Sequence, residues 1–567
     1  MGIVDDLLQR QAQMATDRYR IESVWRDVVA HFMPQASARF DQVSGSVRNA
    51  LTGDLRNDPA AARRAVEIYD STAIWAGERL VAGMESLVTP RAQKWHSLTK
   101  DEVFAKDPTD LEEEWLDSVR DYLFATRYDP RCNFALANQK AIRSATILGT
   151  GILYSEENLG KAGTDIVKTP YFYRSVPVID CYLSADDFDN IDAVIEIKDF
   201  TARQAVAKFG EEKLPEQVKR AASSQKDMDK PFAFLHAVIP REEAGEFKGK
   251  RSEQAFATFW AEIETRTLVA QGGFYTFPYS VMWWDQIEGS AYGQSAPMSL
   301  LSEVKMLNAM SRSAVQVAQN LIKPPMATMA GVYNQRLNLN PGAVNPGYLS
   351  ENGVMKAQPL STGGNPSFAE RILEMKRGGI REGLYINLFQ TLVDNPQMTA
   401  TEAIIRANEK GEMLGPAGAK IETGLAMGVE RELDIIQRKG GFERGSPLEP
   451  PQSMIGKNTG VKFTGPMARM RRMQELQGVE AVLGLAANLA EYDSSVIDRI
   501  DSDETIEIAR EIRGAPRKMF RTDEEVKETR QQRAAKQEQM AAMQAVEGMA
   551  GAAGKAAPAL QAVMGAA

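Results

Sequence analysis

One stretch limits the possible folds more than any other, the run from Tyr292 to Gly440. Ser295 is placed to cap a helix and Pro297 suits its first turn. Leu300, Val304, Leu307, Ala314, Ala318 and Leu321 then recur at helical spacing until Lys323-Pro324-Pro325 stops them. A helix over 297–321 would be roughly 38 Å long at ~1.5 Å per residue. Pro341-Gly342, Asn345-Pro346-Gly347 and Asn352-Gly353 mark turns between short β-prone pieces. A helical pattern resumes through Phe368, Ile372, Met375 and Ile380 towards Leu388. Asp394-Asn395-Pro396 breaks it, and a third helix begins near Met398 and runs to Lys439-Gly440. The chain leaves along one helix, makes a small α/β excursion, returns along a second helix and continues into a third.

The rest of the sequence sets bounds. At 567 residues the chain is too long for a single ordinary core. Its 43% hydrophobic and 25% charged residues are those of a folded protein. No stretch of eighteen apolar residues occurs, and Asp5 and Asp6 stand where a secretion signal would be basic, so neither membrane span nor signal peptide is expected. Cys132 and Cys181 are too few for a disulfide framework and read as small buried hydrophobes. His31, His96 and His236 form no metal-ligand spacing. The net charge of -9 argues against a protein that grips nucleic acid by counterion release, while a neutral or acidic wall would let a polyanion slide.

Before the central stretch, helices are expected over 4–32, 60–87, 111–126 and 134–148. Gly149-Thr150-Gly151 reads as a turn into a strand at Ile152 to Ser155, not as a phosphate loop. From Ile166 to Trp284 short apolar runs alternate with turn residues, a mostly β region broken by a helix at 202–209. Asp186-Asp187 reads as a solvated turn. The aromatics Phe274, Tyr275, Phe277, Tyr279, Trp283 and Trp284 are read as buried strand, with a base-stacking platform the sharper alternative. After Gly440 come a returning strand at Val461 to Phe463, helices over 468–490 and 502–512, and a polar helix opened by a capping box at Thr522 to Glu525. Arg469, Arg471 and Arg472 could meet phosphates, although a solvated helix turn is the default. The tail from Met543 is rich in Ala, Gly and Met and is expected to be weakly ordered.

No catalytic constellation is found, and no cofactor or metal is expected. Gly554-Lys555 lacks the earlier Walker glycine, where Met549 stands, and the following Ser or Thr, where Ala556 stands. Gly293-Gln294-Ser295 has Pro297 where a nucleophile elbow needs its closing glycine.

Collinear strings do carry a resemblance. Tyr69-Asp70-Ser71-Thr72, then Ala76, Leu80, Leu87, Pro90, Trp95 and Leu98, then Tyr292-Gly293-Gln294-Ser295, Met398-Thr399-Ala400-Thr401-Glu402, Glu409 with Leu414-Gly415-Pro416, and Arg438-Lys439-Gly440 follow one another as in the head-to-tail connector, or portal, proteins of short-tailed (podovirus) bacteriophages. The chain resembles that family from about residue 1 to about residue 530, through the order of its motifs, each weak alone.

The resemblance implies an α+β, predominantly helical portal fold that assembles as a ring, usually a dodecamer. Residues 1–296 would form an N-terminal wing region, helical over 1–150 and β-rich over 151–290. Residues 297–321 and 365–389 would be stem helices, 322–364 the clip and 390–398 the tunnel loop. Residues 399–489 would be the long wing helix and its return, 490–542 a helical crown, and 543–567 the tail. Leu300, Val304, Leu307 and Leu321 become the expected stem contacts between subunits. Arg336, Asn338, Asn345 and Tyr348 become expected adaptor-docking residues of the clip. Thr391, Asp394, Asn395 and Gln397 become a DNA-facing tunnel loop without lysine or arginine, for which a plain surface turn is an equal reading. Implied partners are further copies of the chain, double-stranded DNA, terminase, a tail adaptor, and scaffolding and major capsid proteins, with no membrane. The implied place is the capsid vertex of a virion assembled in the bacterial cytoplasm. Another virion component, an internal head or tail-tube protein, is the alternative; a cytoplasmic α/β enzyme is a more distant one.

Overall fold

The structure, a computed structural model, describes residues 2–37, 40, 67–100, 108–158, 169–245, 254–328, 338, 344, 348–350, 352–359, 366–389, 400–513, 515, 519–521 and 525–540. In chain order the named helices and strands begin with α1 (Ile3–Phe32), α2 (Thr72–Val88), β1 (His96–Lys100), α3 (Asp110–Arg127), α4 (Phe134–Leu148), β2 (Thr150–Glu157), β3 (Tyr171–Val176), β4 (Cys181–Ala185) and β5 (Ile191–Thr201). There follow α5 (Ala202–Phe209), α6 (Glu216–Ser223), β6 (Pro231–Pro240), β7 (Phe256–Glu262), β8 (Thr267–Phe274), β9 (Tyr279–Trp283), β10 (Asp285–Gln286), β11 (Gly293–Gln294), α7 (Ala296–Ser299) and α8 (Leu301–Ile322). The last are β12 (Met326–Thr328), β13 (Ala357–Pro359), α9 (Pro366–Gly383), α10 (Ala400–Arg438), β14 (Thr459–Phe463), α11 (Pro466–Ala490) and α12 (Ser502–Arg513). They form two compact units. One is Met1–His96 with Arg120–Pro447 and Gly465–Arg471, and the other is Ser97–Val119 with Leu448–Thr464 and Arg472–Ala567.

The first unit holds an antiparallel five-stranded sheet in the order β4-β5-β6-β7-β8. Side chains along a strand alternate between faces, so Ala233, Leu235, Ala237 and Ile239 of β6 pack with Leu7 and Met14 of α1. Phe232 and Phe234 face the other way, onto Ala205 and Phe209 of α5 and Val218 of α6. Both faces are therefore covered by helices, which is why these strands are apolar at nearly every position. The helix α1 is locked by Arg18, buried in the core, whose guanidinium donates to the carbonyls of Ile179 at 3.0 Å and Cys181 at 2.7 Å and lies over the Tyr182 ring at 4.0 Å.

A second sheet, β3-β2-β9, supports the functional elements. Gly151 of β2 lies so close to α4 that a Cβ there would stand 2.1 Å from the carbonyl of Ala141. Between the sheets lies a buried polar cluster: Arg174 binds Glu196 at 2.6 and 2.7 Å, and His236 stacks on Trp260 at 4.0 Å with Tyr279 and Thr258 on its two nitrogens. In the second unit β1 pairs with β14, Trp115 Nε1 donates to the Leu448 carbonyl at 2.9 Å, and Lys100 pairs with buried Glu112 at 2.5 Å.

Several expectations need correction. Of the helix expected from Ala60, residues 60–66 lie outside the described residues and 67–71 are not helical; the helix begins at Thr72, with Ser71 at its N-cap position and the Asp70 carboxylate accepting from the Thr72 N–H at 2.9 Å. The helix expected over 297–321 is one capped turn, α7, then a bend at Leu300, then α8. The returning helix is interrupted after Gly383, where Tyr385 takes a left-handed φ of 57°, and helical structure resumes over 386–389, as far as the expected Leu388. Leu384 and Ile386 are both fully buried; in a helix they would point about 200° apart, so the chain must leave the helix to bury both. Strand β1 and helix α6 were not expected at all. Thr522, with the residues to 524, and the tail from 541 lie outside the described residues.

Burial pushes the His236 imidazole down to about 4, against the pull of Glu196. A histidine neutral in the fold but titrating near 6.5 when unfolded stabilises fully above ~6.5 and loses that contribution as pH falls towards 4. Glu196 is depressed instead, so its contribution is lost only below the ordinary carboxylate range. Between pH 7 and pH 5 the drop in urea-unfolding stability should therefore shrink by about 2 kcal/mol in His236→Gln. An unchanged pH slope would show that the imidazole is not held neutral.

Candidate functional site

Among the described residues no group of three or more His, Cys, Asp or Glu could hold a metal, and no helix is long and apolar enough to cross a membrane. Cys132 and Cys181 are both buried thiols. What the fold presents is a hairpin of helices rooted on α2, and a long third helix docked on the second sheet.

Helices α8 and α9 run antiparallel. Lys376 Nζ reaches Glu303 at 2.6 Å, and a Cβ on Gly383 would meet Leu300 at 2.8 Å, so rising numbers on one helix meet falling numbers on the other. The inner face buries Val304 and Leu307 of α8 with Leu373, Ile380 and Leu384 of the return. Beyond α8 the chain enters the antiparallel ladder of β12 and β13, with an isolated bridge from Leu349 to Met355. One carboxylate ties the hairpin to α2. Asp70 Oδ2 accepts from Arg377 Nε at 2.9 Å and from Ser311 Oγ at 3.3 Å, while its other oxygen caps α2. Partial burial opposes ionisation, yet the Thr72 hydrogen bonds and the Arg377 guanidinium hold the Asp70 carboxyl below its ordinary range.

The helix α10 is docked along β9. A Cβ on Gly424 would stand 2.3 Å from the Val281 carbonyl, and one on Gly428 3.0 Å from Ser280 Oγ, so two glycines four residues apart let helix and strand backbones approach. Leu414, Ile421, Leu425, Val429 and Ile436 bury its inner face. Its C-terminal half carries a buried charge network. Arg127 Nε donates to Glu432 at 3.0 Å, a second guanidinium nitrogen and the Tyr173 hydroxyl reach the same carboxylate, and Arg127 Nη1 donates to His96 Nε2 at 2.8 Å. Trp95, Phe124 and Phe134 surround that guanidinium at 4.7, 5.2 and 5.2 Å. Burial, with Arg127 and Arg120 nearby, holds His96 well below its ordinary value, which keeps Nε2 an acceptor. Arg431 donates to Ser155 Oγ at 3.0 Å and the Thr276 carbonyl at 2.6 Å. Lys439 Nζ donates to the carbonyls of Asn158 and Pro170 at 3.0 and 2.9 Å, completing a set of cations at the helix C-terminus.

The sequence-derived residues fall as follows. Val304 and Leu307 are buried within the chain, Leu300 is half-buried against Gly383, and Leu321 is 57% exposed. Asn338 is exposed and Tyr348 half-buried, whereas Arg336, Asn345, Thr391, Asp394, Asn395 and Gln397 lie outside the described residues. Ser295 accepts from the Met298 N–H at 3.3 Å and is a helix cap. Asp186 accepts from the N–H groups of Phe188 and Asn190, both at 2.9 Å, within a turn. Of the aromatic run, Tyr279, Trp283 and Trp284 are buried, while Phe274, Tyr275 and Phe277 are half-buried. Arg472 pairs with Glu475 one turn on, and Arg469 reaches Gln93 at 3.5 Å. The Asp70 and Glu432 centres carried no local signal, because their partners are hundreds of residues away.

Comparison with known proteins says what kind of protein presents such a hairpin. The model of the bacteriophage head to tail connecting protein family matches residues 4–520. The chain belongs to this family. The portal protein of Salmonella phage epsilon15 is 26% identical over 540 residues, covering 93% of this chain and 90% of that protein. The probable portal protein of Bordetella phage BPP-1 is 25% identical over 512 residues, covering 88% and 85%. Head-to-tail connecting proteins are structural, which fits a fold whose buried charges are consumed in holding helices.

In this connecting protein, removing one partner of a buried ion pair strands the other charge. Glu432→Ala should cost about 3–5 kcal/mol of unfolding stability, and Arg127→Met with Glu432→Leu together should cost less than Glu432→Ala alone. A loss below about 1 kcal/mol for Glu432→Ala in chemical denaturation would mean that the pair is not closed in solution.

Proposed function

We propose that the chain is a portal subunit, copies of which close into a ring at one vertex of a phage capsid, usually a dodecamer, through whose bore double-stranded DNA is packaged and later ejected. The observation that carries the reading is the family match across residues 4–520. The hairpin adds physical support. Val315, Leu321 and Ile322 of α8 are 43%, 57% and 77% exposed, and Met375 of α9 is 65% exposed among the described residues. Large apolar side chains left bare along both helices suit a surface covered by another molecule. A neighbouring copy that offers a different face gives a contact that closes by rotation. In this reading Leu300, Val304 and Leu307 brace the hairpin from within, and Leu321 with Ile322 meets the neighbour.

Residues 322–364, with Arg336, Asn338, Asn345 and Tyr348, are the proposed clip, which receives a tail adaptor; terminase and then the adaptor dock to the ring. Thr391, Asp394, Asn395 and Gln397 form the proposed tunnel loop. Without a cation there, phosphate contacts stay weak enough to break as the duplex advances. Residues 490–542, with α12, are the proposed crown, and α11 belongs to the proposed returning wing segment. Scaffolding and major capsid proteins are the remaining partners, and the virion is the proposed location.

Electron microscopy and native mass measurement of the purified protein should show closed rings with a central hole. Leu321→Asp with Ile322→Asp should abolish rings while leaving monomer stability within about 0.5 kcal/mol, whereas Leu307→Asp should unfold the hairpin by burying a charge. A compact monomer from the parent chain would refute the reading. In a packaging assay, Asp394→Lys with Asn395→Lys should slow DNA passage, and unchanged passage would remove the tunnel loop from the proposal.

A further inference from the structure

The five-stranded sheet carries, towards its two ends, charge that the chain itself does not use. One place lies near the end of β5 that leads into α5. Lys198 Nζ stands 4.8 Å and Lys208 Nζ 5.4 Å from the centre of the same ring, Phe200, and Lys208 also sits over Trp260 at 3.9 Å. Neither ammonium has a hydrogen bond or an ion pair among the described residues, and the Arg174 guanidinium repels both. Of the carboxylates nearby, Glu196 is taken by Arg174 at 2.6 and 2.7 Å, and Glu156 attracts the lysines without a hydrogen bond to either. Burial and the Arg174 charge pull the Lys198 amine down to about 8, a cost that a further anion would relieve. Phe172 lies on the same face of β3 as Arg174 and is 36% exposed, so the patch also has an uncovered ring.

The other place is the turn from β4 to β5. Asp186 Oδ1 accepts from the N–H groups of Phe188 and Asn190, Asp189 takes a left-handed φ of 63°, and Gln286 Nε2 donates to the Asp189 carbonyl at 3.4 Å. Asp186 is spent on building this turn. Asp187 and Asp189 are exposed, and neither carboxylate has a partner among the described residues. Between them Phe188 is 79% exposed, a large apolar ring held in water by a turn that is already fixed. Lys198 stands roughly 30 Å along β5 from Asp189 at ~3.3 Å per residue, so the turn and the patch of one chain do not meet.

We propose that the Asp187-Phe188-Asp189 turn of one copy docks on the Lys198 and Lys208 patch of the next, with the Phe188 ring against Phe172 and the two carboxylates on the two ammonium groups. Charge decides which surface meets which, and the ring supplies the apolar burial. The contact joins two different surfaces, so it repeats from copy to copy and closes where the rotation allows. The inference rests on the reading that copies of this chain assemble, and adds where their β regions touch.

The test uses the full chain with charges exchanged. Asp187→Lys with Asp189→Asn reverses the turn and keeps at 189 a residue that tolerates the left-handed backbone. Lys198→Gln with Lys208→Glu reverses the patch. Each variant alone should raise the concentration at which native mass measurement finds half the chain assembled, by about tenfold at low salt. An equal mixture should return to within about threefold of the parent, since the reversed turn then meets the reversed patch and the two unaltered surfaces meet each other. Phe188→Ser should weaken assembly while leaving Tm unchanged, because the ring packs on nothing within its own chain. If the double patch variant does not fold, Lys208→Glu alone, at an exposed position, carries the test. A merely structural role would not be rescued by mixing. Unchanged assembly of the variants, or a mixture no better than its parts, overturns the contact.

Parent rings together with indifferent variants would leave the portal reading standing without this contact. Should the parent form no rings, disulfide capture judges the contact separately. Chains carrying Asp187→Cys and chains carrying Lys208→Cys are mixed equally with oxidised glutathione, while Cys132 and Cys181 stay buried. Mixed dimers well above the half expected of random pairing support the contact, and random pairing overturns it.

Discussion

Everything in the first unit is referred to the seating of α10 on β9. Two glycines, Gly424 and Gly428, bring helix and strand backbones into contact, and the Arg127–Glu432 pair closes the far end. The glycines alone would weaken the helix, and the ion pair alone would be a costly burial. Each is tolerated because the other fixes its geometry: the close approach excludes water around Glu432, and the guanidinium, the Tyr173 hydroxyl and the aromatic box satisfy the charge that results. Arg431 and Lys439 then fasten the same helix to the backbone around β2, β3 and β9.

The exposed hairpin is held separately, by its own root. The helices α8 and α9 bury only one stripe within the chain and leave large apolar side chains uncovered further out. Such a pair would be marginal on its own, because isolated helices gain most of their stability from tertiary packing. It is held by its root, through Val304, Leu307, Ile380 and Leu384, and by the Asp70 carboxylate. Elsewhere in the unit the buried thiols of Cys132 and Cys181 are raised above their ordinary range by burial, as befits inert core residues.

Much of this was legible in the sequence. Where a periodic apolar face is bounded by a cap and a glycine, as in α4 and α5, the expected and observed residues coincide, because those signals are local. The apolar stripe through Val304 and Leu307 was visible too, but spacing says that a face is buried and not what covers it. The end of α9 was missed because Leu384 and Ile386 are satisfied only by a left-handed Tyr385, which no helical pattern announces. Strand β1 was missed because its partner, β14, lies far along the chain. Asp70 and Glu432 look like ordinary solvated acids in sequence; their roles exist only once Arg377 and Arg127 arrive from distant elements.

Native-state hydrogen exchange addresses the seating of α10 most directly. Amides from Ile421 to Ile436 should exchange together with those of β2 and β9, in one slow cooperative opening, while amides of α8 beyond Ser311 in the unassembled chain exchange much faster. If the α10 amides open well before β2 and β9, the helix is not the anchor, and the account built on it fails.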